Sequence, residues 1–198
     1  MSTRSKARTL LLDTAITVIA EQGLRGLTHR AVQEAAGLKN GSVTYHFKSW
    51  DLLVLAVIDR MIEIDAQRAA PATHELLRVM AAPDAQPDYD HLAALLAAWW
   101  TESRQLLLAR FELELAGARD PRIREAMARC GAEFRRLAEL ITLSAGSADA
   151  AFDAEVLIRL IDGLMLDFVT RPPQDPAVLA AGLRRAVESV RLAGKSAI

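Results

Sequence analysis

Cysteine is nearly absent. Cys130 is the only one among 198 residues, so no intramolecular disulfide can form, and a reducing, cytosolic setting is expected. Histidine is scarce as well, and His29, His74 and His91 stand at no spacing that metal ligands use, so no metal is expected. Long apolar runs are missing. The longest, 91–100, is followed by Glu102 and Arg104 and falls short of the ~20 residues needed to cross a bilayer, so no membrane partner is expected. The first six residues are polar and lack the apolar stretch of a secretory signal. Strand-like alternation, internal repeats and low-complexity tracts beyond alanine enrichment are absent too. There is no Ser-His-acid order with supporting turns, no phosphate-cradling glycine loop and no zinc spacing, so the chain reads as a non-enzyme without a cofactor.

What is present is apolar and helical. Apolar residues make up 52% and charged residues 25%, the balance of soluble globular proteins. The length suits one long domain or a small domain joined to a larger one, with a core that needs neither disulfide nor metal. The overall charge of −1 argues against a polyanionic partner, but its distribution argues otherwise. In residues 1–50, Arg4, Lys6, Arg8, Arg25, Arg30, Lys39 and Lys48 stand against Asp13, Glu21 and Glu34, a surplus of +4 that leaves −5 for the remainder. A basic head on an acidic body implies that only the head meets a polyanion.

Apolar positions recur at helical spacing almost throughout. The pattern predicts an all-α fold of nine to ten helices. The first covers 6–22, with Leu12, Ile16 and Ile19 on one face and Gly23 as its stop. A short helix starts after Thr28, a favoured cap, and runs to residue 36. A second short one fits 40–47, and a longer one fits 50–70. Proline at 71, 83 and 87 separates this from a short helix near 74–82. Further helices fit 88–100, capped by Asp88, and the stretch to 116. Asp120-Pro121 is a strong start signal. In the helix it opens, 121–143, Ile123, Met127, Cys130, Phe134, Leu137 and Ile141 form a heptad-like seam. The next, 149–170, places Leu157, Leu160, Ile161, Leu164 and Phe168 on one stripe. These two are expected to pair as an antiparallel hairpin. Asp175-Pro176 opens the last helix, with Leu179, Leu183, Val187 and Val190 inward.

The informative segment runs from Leu27 to Lys48. Two short helices flank Gly37, where a positive φ is often required, and Val32, Ala36, Leu38 and Val43 supply apolar groups to lock them. That is a helix-turn-helix, whose second helix enters the major groove. Lys39, Asn40, Ser42 and Thr44 stand near the start of that helix, where side chains reach base edges. Thr28, Tyr45, His46 and Lys48 are placed to meet phosphates, contacts that set register rather than sequence preference, and Arg30 is a further DNA-binding candidate. The basic tail, Arg4, Lys6 and Arg8, adds sequence-independent attraction.

The run Thr28…Ala36-Gly37-Leu38…Gly41-Ser42-Val43-Thr44-Tyr45-His46-Phe47-Lys48-Ser49…Asp51-Leu52-Leu53, preceded by Gly23-Leu24, resembles the signature of the tetracycline-repressor (TetR) family over about residues 6–60. The resemblance implies a DNA-binding domain over 1–48 and a helical ligand-binding and dimerisation domain over 49–198. It implies a palindromic operator in double-stranded DNA, a small-molecule effector that releases the repressor, and a homodimer through a four-helix bundle built from 121–143 and 149–170. The chain departs from the family at four places. Gln33 stands where alanine is usual, and Lys39 replaces a common serine cap, leaving Asn40 as the expected cap. Thr44 replaces a frequent tyrosine, and Trp50 replaces a basic residue.

Trp99, Trp100, Phe111, Met127, Phe134, Met165 and Phe168 are the candidate lining of an effector cavity. Glu112, Glu114, Asp162, Arg104 and Arg110 are weaker candidates for orienting a polar ligand group. Two other readings stay open on sequence alone: a small-molecule-binding helical enzyme, and a protein-interaction module whose basic head is only a solvated face.

Overall fold

The computed structural model describes residues 3–80, 88–144, 146–171 and 175–195, and among them ten helices and no strand. They form two compact units. One holds the described residues of Met1–Gln67 with Ser103–Cys130, and the other those of Arg68–Glu102 with Gly131–Ile198.

The first unit contains α1 (Thr3–Gly26), α2 (His29–Ala35), α3 (Ser42–His46), the first part of α4 (Trp50–Met80), α6 (Arg104–Gly117) and α7 (Pro121–Arg129). Leu12, Ile16 and Ile19 of α1 are buried as their spacing predicts, with Leu11 and Ala15 beside them. Val32, Val43, Phe47, Leu53, Val57 and Ile58 complete the same core with Leu106, Leu113, Ile123 and Met127. Gly23 leaves helical geometry at φ 69° and ψ 173° near the end of α1. α6 packs against α1, and Glu112 accepts the Leu24 N–H at 3.2 Å. α7 starts as Asp120-Pro121 predicts, with the Asp120 side chain accepting the Arg122 N–H at 2.9 Å. Arg122 also pairs with Asp51 on α4, and Arg129 with Asp59 at 3.0 Å.

The second unit contains the rest of α4, α5 (Tyr89–Glu102), α8 (Ala132–Ser144), α9 (Ala150–Thr170) and α10 (Pro176–Lys195). Asp88, Asp149 and Asp175 each accept a backbone N–H of the helix that follows. α8 and α9 are joined by a short turn and pack as an antiparallel pair. Buried Thr142 ties them, its hydroxyl donating to the Ala150 carbonyl at 2.8 Å. Ala138, Ala154, Leu157 and Ala186 form the small core among α8, α9 and α10. α10 comes so near α9 that a Cβ on Gly182 would stand 2.7 Å from a Leu164 methyl.

Three expectations are corrected. The stretch 121–143 is two helices. Cys130 turns extended at ψ 134° and Gly131 turns left-handed at φ 74°. The seam is therefore divided, with Ile123 and Met127 in the first unit's core and Phe134, Leu137 and Ile141 in the second unit. Pro71 does not end a helix, and α4 continues through it to Met80. Proline removes its own N–H from the ladder and its ring crowds the carbonyl four residues back, yet the helix holds, with Ala69 and Ala72 on either side buried; residues 81–82 of the expected short helix lie outside the described residues. On α9, Leu157 is buried, but Leu160 is 43% exposed and sits with Phe152 and Leu166 on the outward side. The inward placement of Val190 lies outside the described side chains.

Half-buried Cys130 has its thiol pushed up to about 11, chiefly by burial. The thiolate is the nucleophile, so iodoacetamide should modify Cys130 slowly at pH 8 relative to free cysteine. The native rate should keep rising towards pH 11. Alkylation at the free-cysteine rate at pH 8 contradicts this.

Candidate nucleic-acid interface and aromatic cluster

α2 begins as its sequence dictates. The Thr28 hydroxyl accepts the Ala31 N–H at 3.0 Å, capping an otherwise unpaired donor. After α2 the chain reverses at Gly37, φ +63°, with the Leu38 N–H bonded to the Gln33 carbonyl at 3.2 Å. α3 then starts from Gly41, φ +86°. Side chains rarely tolerate such a φ, and glycine does. Val32 and Val43 are fully buried beneath α2 and α3, and half-buried Ala36 and Leu38 pack against the same core.

The outer side of this motif carries nearly every residue singled out for DNA. Thr28, Arg30, Lys39, Asn40, Thr44, Tyr45 and Lys48 are exposed, and Ser42 and His46 are half-buried. Tyr45 stands edge-on to His46 with ring centroids 5.1 Å apart, and the Lys48 ammonium lies 5.9 Å from the Tyr45 ring. Arg8 of α1 lies 5.4 Å from the Phe47 ring centre, which puts a basic residue of the tail beside α3. A hollow of about 320 Å³ is lined by Ala7, Leu38, Asn40, Ser42, Tyr45 and His46. Several candidates are already engaged within the motif, Thr28 at the start of α2 and Asn40 by Gln33 among them. The Arg30 guanidinium pairs with Glu34 at 2.7 Å, which raises its pKa, and the Ser42 hydroxyl donates to the Lys39 carbonyl at 2.7 Å. The side chain of Arg4 lies outside the described ones.

Two positions carry more than their sequence signal suggested. Asn40 does not cap α3. Gln33 does, its Oε1 accepting the Gly41 N–H at 2.7 Å while its Nε2 donates to Asn40 Oδ1 at 2.8 Å. Trp50, which replaces a basic residue, donates its indole N–H to the Leu27 carbonyl at 2.8 Å and fastens the start of α4 to the turn before α2. Both were visible only as departures from a pattern. Nothing in the spacing shows that Gln33 reaches eight residues along the chain.

The aromatic candidates separate. Trp99 and Trp100 of α5 are buried, Trp99 stacking on Phe134 and Trp100 meeting Phe168 edge-on, each at 5.5 Å between centroids. Met165 is buried in the same unit. Phe111 and Met127 lie in the first unit, Phe111 beside Arg110 and Met127 in the core. The indole N–H groups of Trp99 and Trp100 are buried and meet no acceptor among the described residues. A buried donor left unpaired costs about 1–3 kcal/mol, so a polar atom brought against either is favoured. Of the weaker candidates, Glu112 is used on the Leu24 backbone and Glu114 pairs with Arg110 at 2.8 Å. Among the described residues, no group of three His, Cys, Asp or Glu could hold a metal, and no helix is long and apolar enough to cross a membrane.

The geometry has counterparts in known proteins. The family model for bacterial regulatory proteins of the tetR family matches residues 11–57, and that for the tetracyclin repressor-like C-terminal domain matches residues 83–190. The HTH-type transcriptional repressor KstR2 of Rhodococcus jostii (strain RHA1) is 47% identical over 53 residues, 27% of this chain. That match spans only 26% of the relative's length. A TetR-family member from Streptomyces coelicolor A3 aligns with a TM-score of 0.70 at 28% identity, over 91% of this chain and 98% of its own. The multidrug binding protein EbrR, complexed with ethidium, aligns with a TM-score of 0.64 at 30% identity, again over 91% of this chain and 98% of its own.

Replacing Trp50 with phenylalanine keeps an aromatic ring, though a smaller one, and removes the donor to Leu27. Urea denaturation should show a loss of about 1 kcal/mol. An unchanged midpoint means that the clasp contributes nothing to stability.

Proposed function

The chain belongs to the TetR family of bacterial regulatory proteins, and on that premise we propose that it is a cytoplasmic, homodimeric transcriptional repressor that a small molecule releases from a palindromic operator. One observation carries the reading. A short helix fixed from below by buried Val43 turns Asn40, Thr44, Tyr45 and Lys48 outward in the segment that the family's DNA-binding model covers. In this proposal residues 1–48 bind DNA and 49–198 bind effector and partner. Lys39, Asn40, Ser42 and Thr44 face base edges. Thr28, Tyr45, His46 and Lys48 meet phosphates, and Arg30 joins them by exchanging Glu34 for a phosphate oxygen.

The dimer contact falls on the outward face of α9, where Phe152, Leu160 and Leu166 are exposed around Gly163. A Cβ on Gly163 would meet nothing within 4 Å. Glycine inside a helix costs about 1 kcal/mol relative to alanine, a cost that close approach of a partner helix offsets. α8 adds exposed Leu140 and Leu143 to the hairpin. Entry into successive major grooves would require the two recognition helices of the dimer about 34 Å apart, one turn of DNA.

The effector would lie against Trp99, Trp100, Phe134 and Phe168. Aromatic faces suit a flat, apolar molecule, and the two unpaired indole donors suit one that carries a hydrogen-bond acceptor. Repression is relieved only if effector and DNA lower each other's affinity reciprocally.

A Tyr45→Ala, Lys48→Ala double variant should fold normally yet bind operator weakly. The slope of log affinity against log salt should become shallower by about 2, one per lost ammonium of the dimer. An unchanged slope contradicts the placement of Lys48. Leu160→Glu should shift the protein to monomer in sedimentation equilibrium at micromolar concentration, and a variant that stays dimeric removes α9 from the interface. Proflavin or ethidium, taken as first probes from the relative EbrR, should quench tryptophan emission saturably in the absence of DNA. Trp100→Phe should weaken that response. Saturable quenching that ignores both Trp99→Phe and Trp100→Phe places the ligand elsewhere.

A further inference from the structure

Gln33 is half-buried on α2 and sends its carboxamide across the turn to α3. The backbone fixes which way that group faces. The Gly41 N–H can only donate, so Gln33 turns its oxygen to it, at 2.7 Å. Its NH2 is then left for Asn40, and Asn40 answers with its oxygen, at 2.8 Å. Asn40 keeps its whole NH2 for an outside partner, while its oxygen, turned to Gln33, keeps one lone pair. Asn40 is exposed and lines the hollow beside Ser42, Tyr45 and His46.

An unconstrained asparagine is ambivalent. Flipping its carboxamide exchanges donor and acceptor, and with both turned outward it reads adenine bidentately. Asn40 is constrained. We propose that Gln33 is a positioning residue that sets the hydrogen-bond polarity Asn40 shows to the major groove. With its oxygen turned to Gln33, Asn40 meets the groove chiefly as a donor and favours an accepting edge, guanine O6 and N7 or thymine O4, over cytosine N4; adenine offers it N7 alone and leaves its N6 amine unmatched. The inference rests on the DNA-binding reading above and adds which base chemistry one position selects.

Gln33→Glu separates the two halves of the clasp. A carboxylate still accepts the Gly41 N–H but has no hydrogen to give Asn40. Asn40 then turns its NH2 to the carboxylate and its oxygen outward. The experiment is selection from a randomised operator library by the full-length wild type, Gln33→Glu, Gln33→Ala and Asn40→Ala, all at one salt concentration. Asn40→Ala identifies the base position that Asn40 reads. There the wild type should favour guanine or thymine. Gln33→Glu should shift the ratio towards adenine or cytosine by about tenfold, the scale of one base-edge contact, and Gln33→Ala should flatten it. The added negative charge lowers affinity for every sequence alike, so the ratio at that position is the readout. If both Gln33 variants keep the preference that Asn40→Ala removes, or if Asn40→Ala removes none while the wild type still enriches a site, the inference is overturned and the DNA-binding reading stands. If the wild type enriches no site, the DNA-binding reading fails and the inference falls with it.

Discussion

A helix of five residues does not hold itself. Isolated helices shorter than about 12 residues are marginal in water, and α3, Ser42–His46, is far below that. It exists because Val43 and Phe47 are buried in the core that α1, α4 and α6 share with it. Every outward residue of the motif takes its direction from that burial. With Val43 inward, Thr44 and Tyr45 are carried outward by helical geometry. The two left-handed glycines, Gly37 and Gly41, let the chain enter and leave the turn without forcing α3 off that core.

Polar clasps refine what the core fixes. Trp50 ties α4 to the Leu27 carbonyl, Thr28 caps α2, and Gln33 caps α3 from the neighbouring helix. Each satisfies a backbone group that a short helix or tight turn would leave to water. Exposed ion pairs such as Arg30–Glu34 are worth little to stability in comparison. Their consequence is electrostatic: a cation held by a neighbouring acid must be released before it meets a phosphate, whereas Lys48 lies against the Tyr45 ring.

The motif was the most legible part of the chain because its signals are local. Thr28 as cap, Gly37 as turn and the apolar spacing of Val32 and Val43 all act within a few residues, and the structure places them as that spacing implies. The division of 121–143 was not legible by the same means. The seam spacing runs unbroken through Cys130, and only the glycine after it signals a stop, against a strong heptad pattern. Pro71 misled in the opposite direction, since a local rule for ending helices yielded to burial on both sides of it. Gln33 and the pairings Trp99–Phe134 and Trp100–Phe168 depend on contacts between elements, which composition and periodicity do not encode.

The central claim is that the basic, motif-bearing head reads DNA sequence. Selection of fragments from sheared genomic DNA by the purified protein, at two stated salt concentrations, tests it most directly. The account predicts enrichment of a few fragments sharing a palindromic site, retained at the higher salt, because base contacts survive where phosphate attraction weakens. Uniform retention of all fragments at low salt and none at high salt would contradict it, reducing the head to a sequence-blind basic surface.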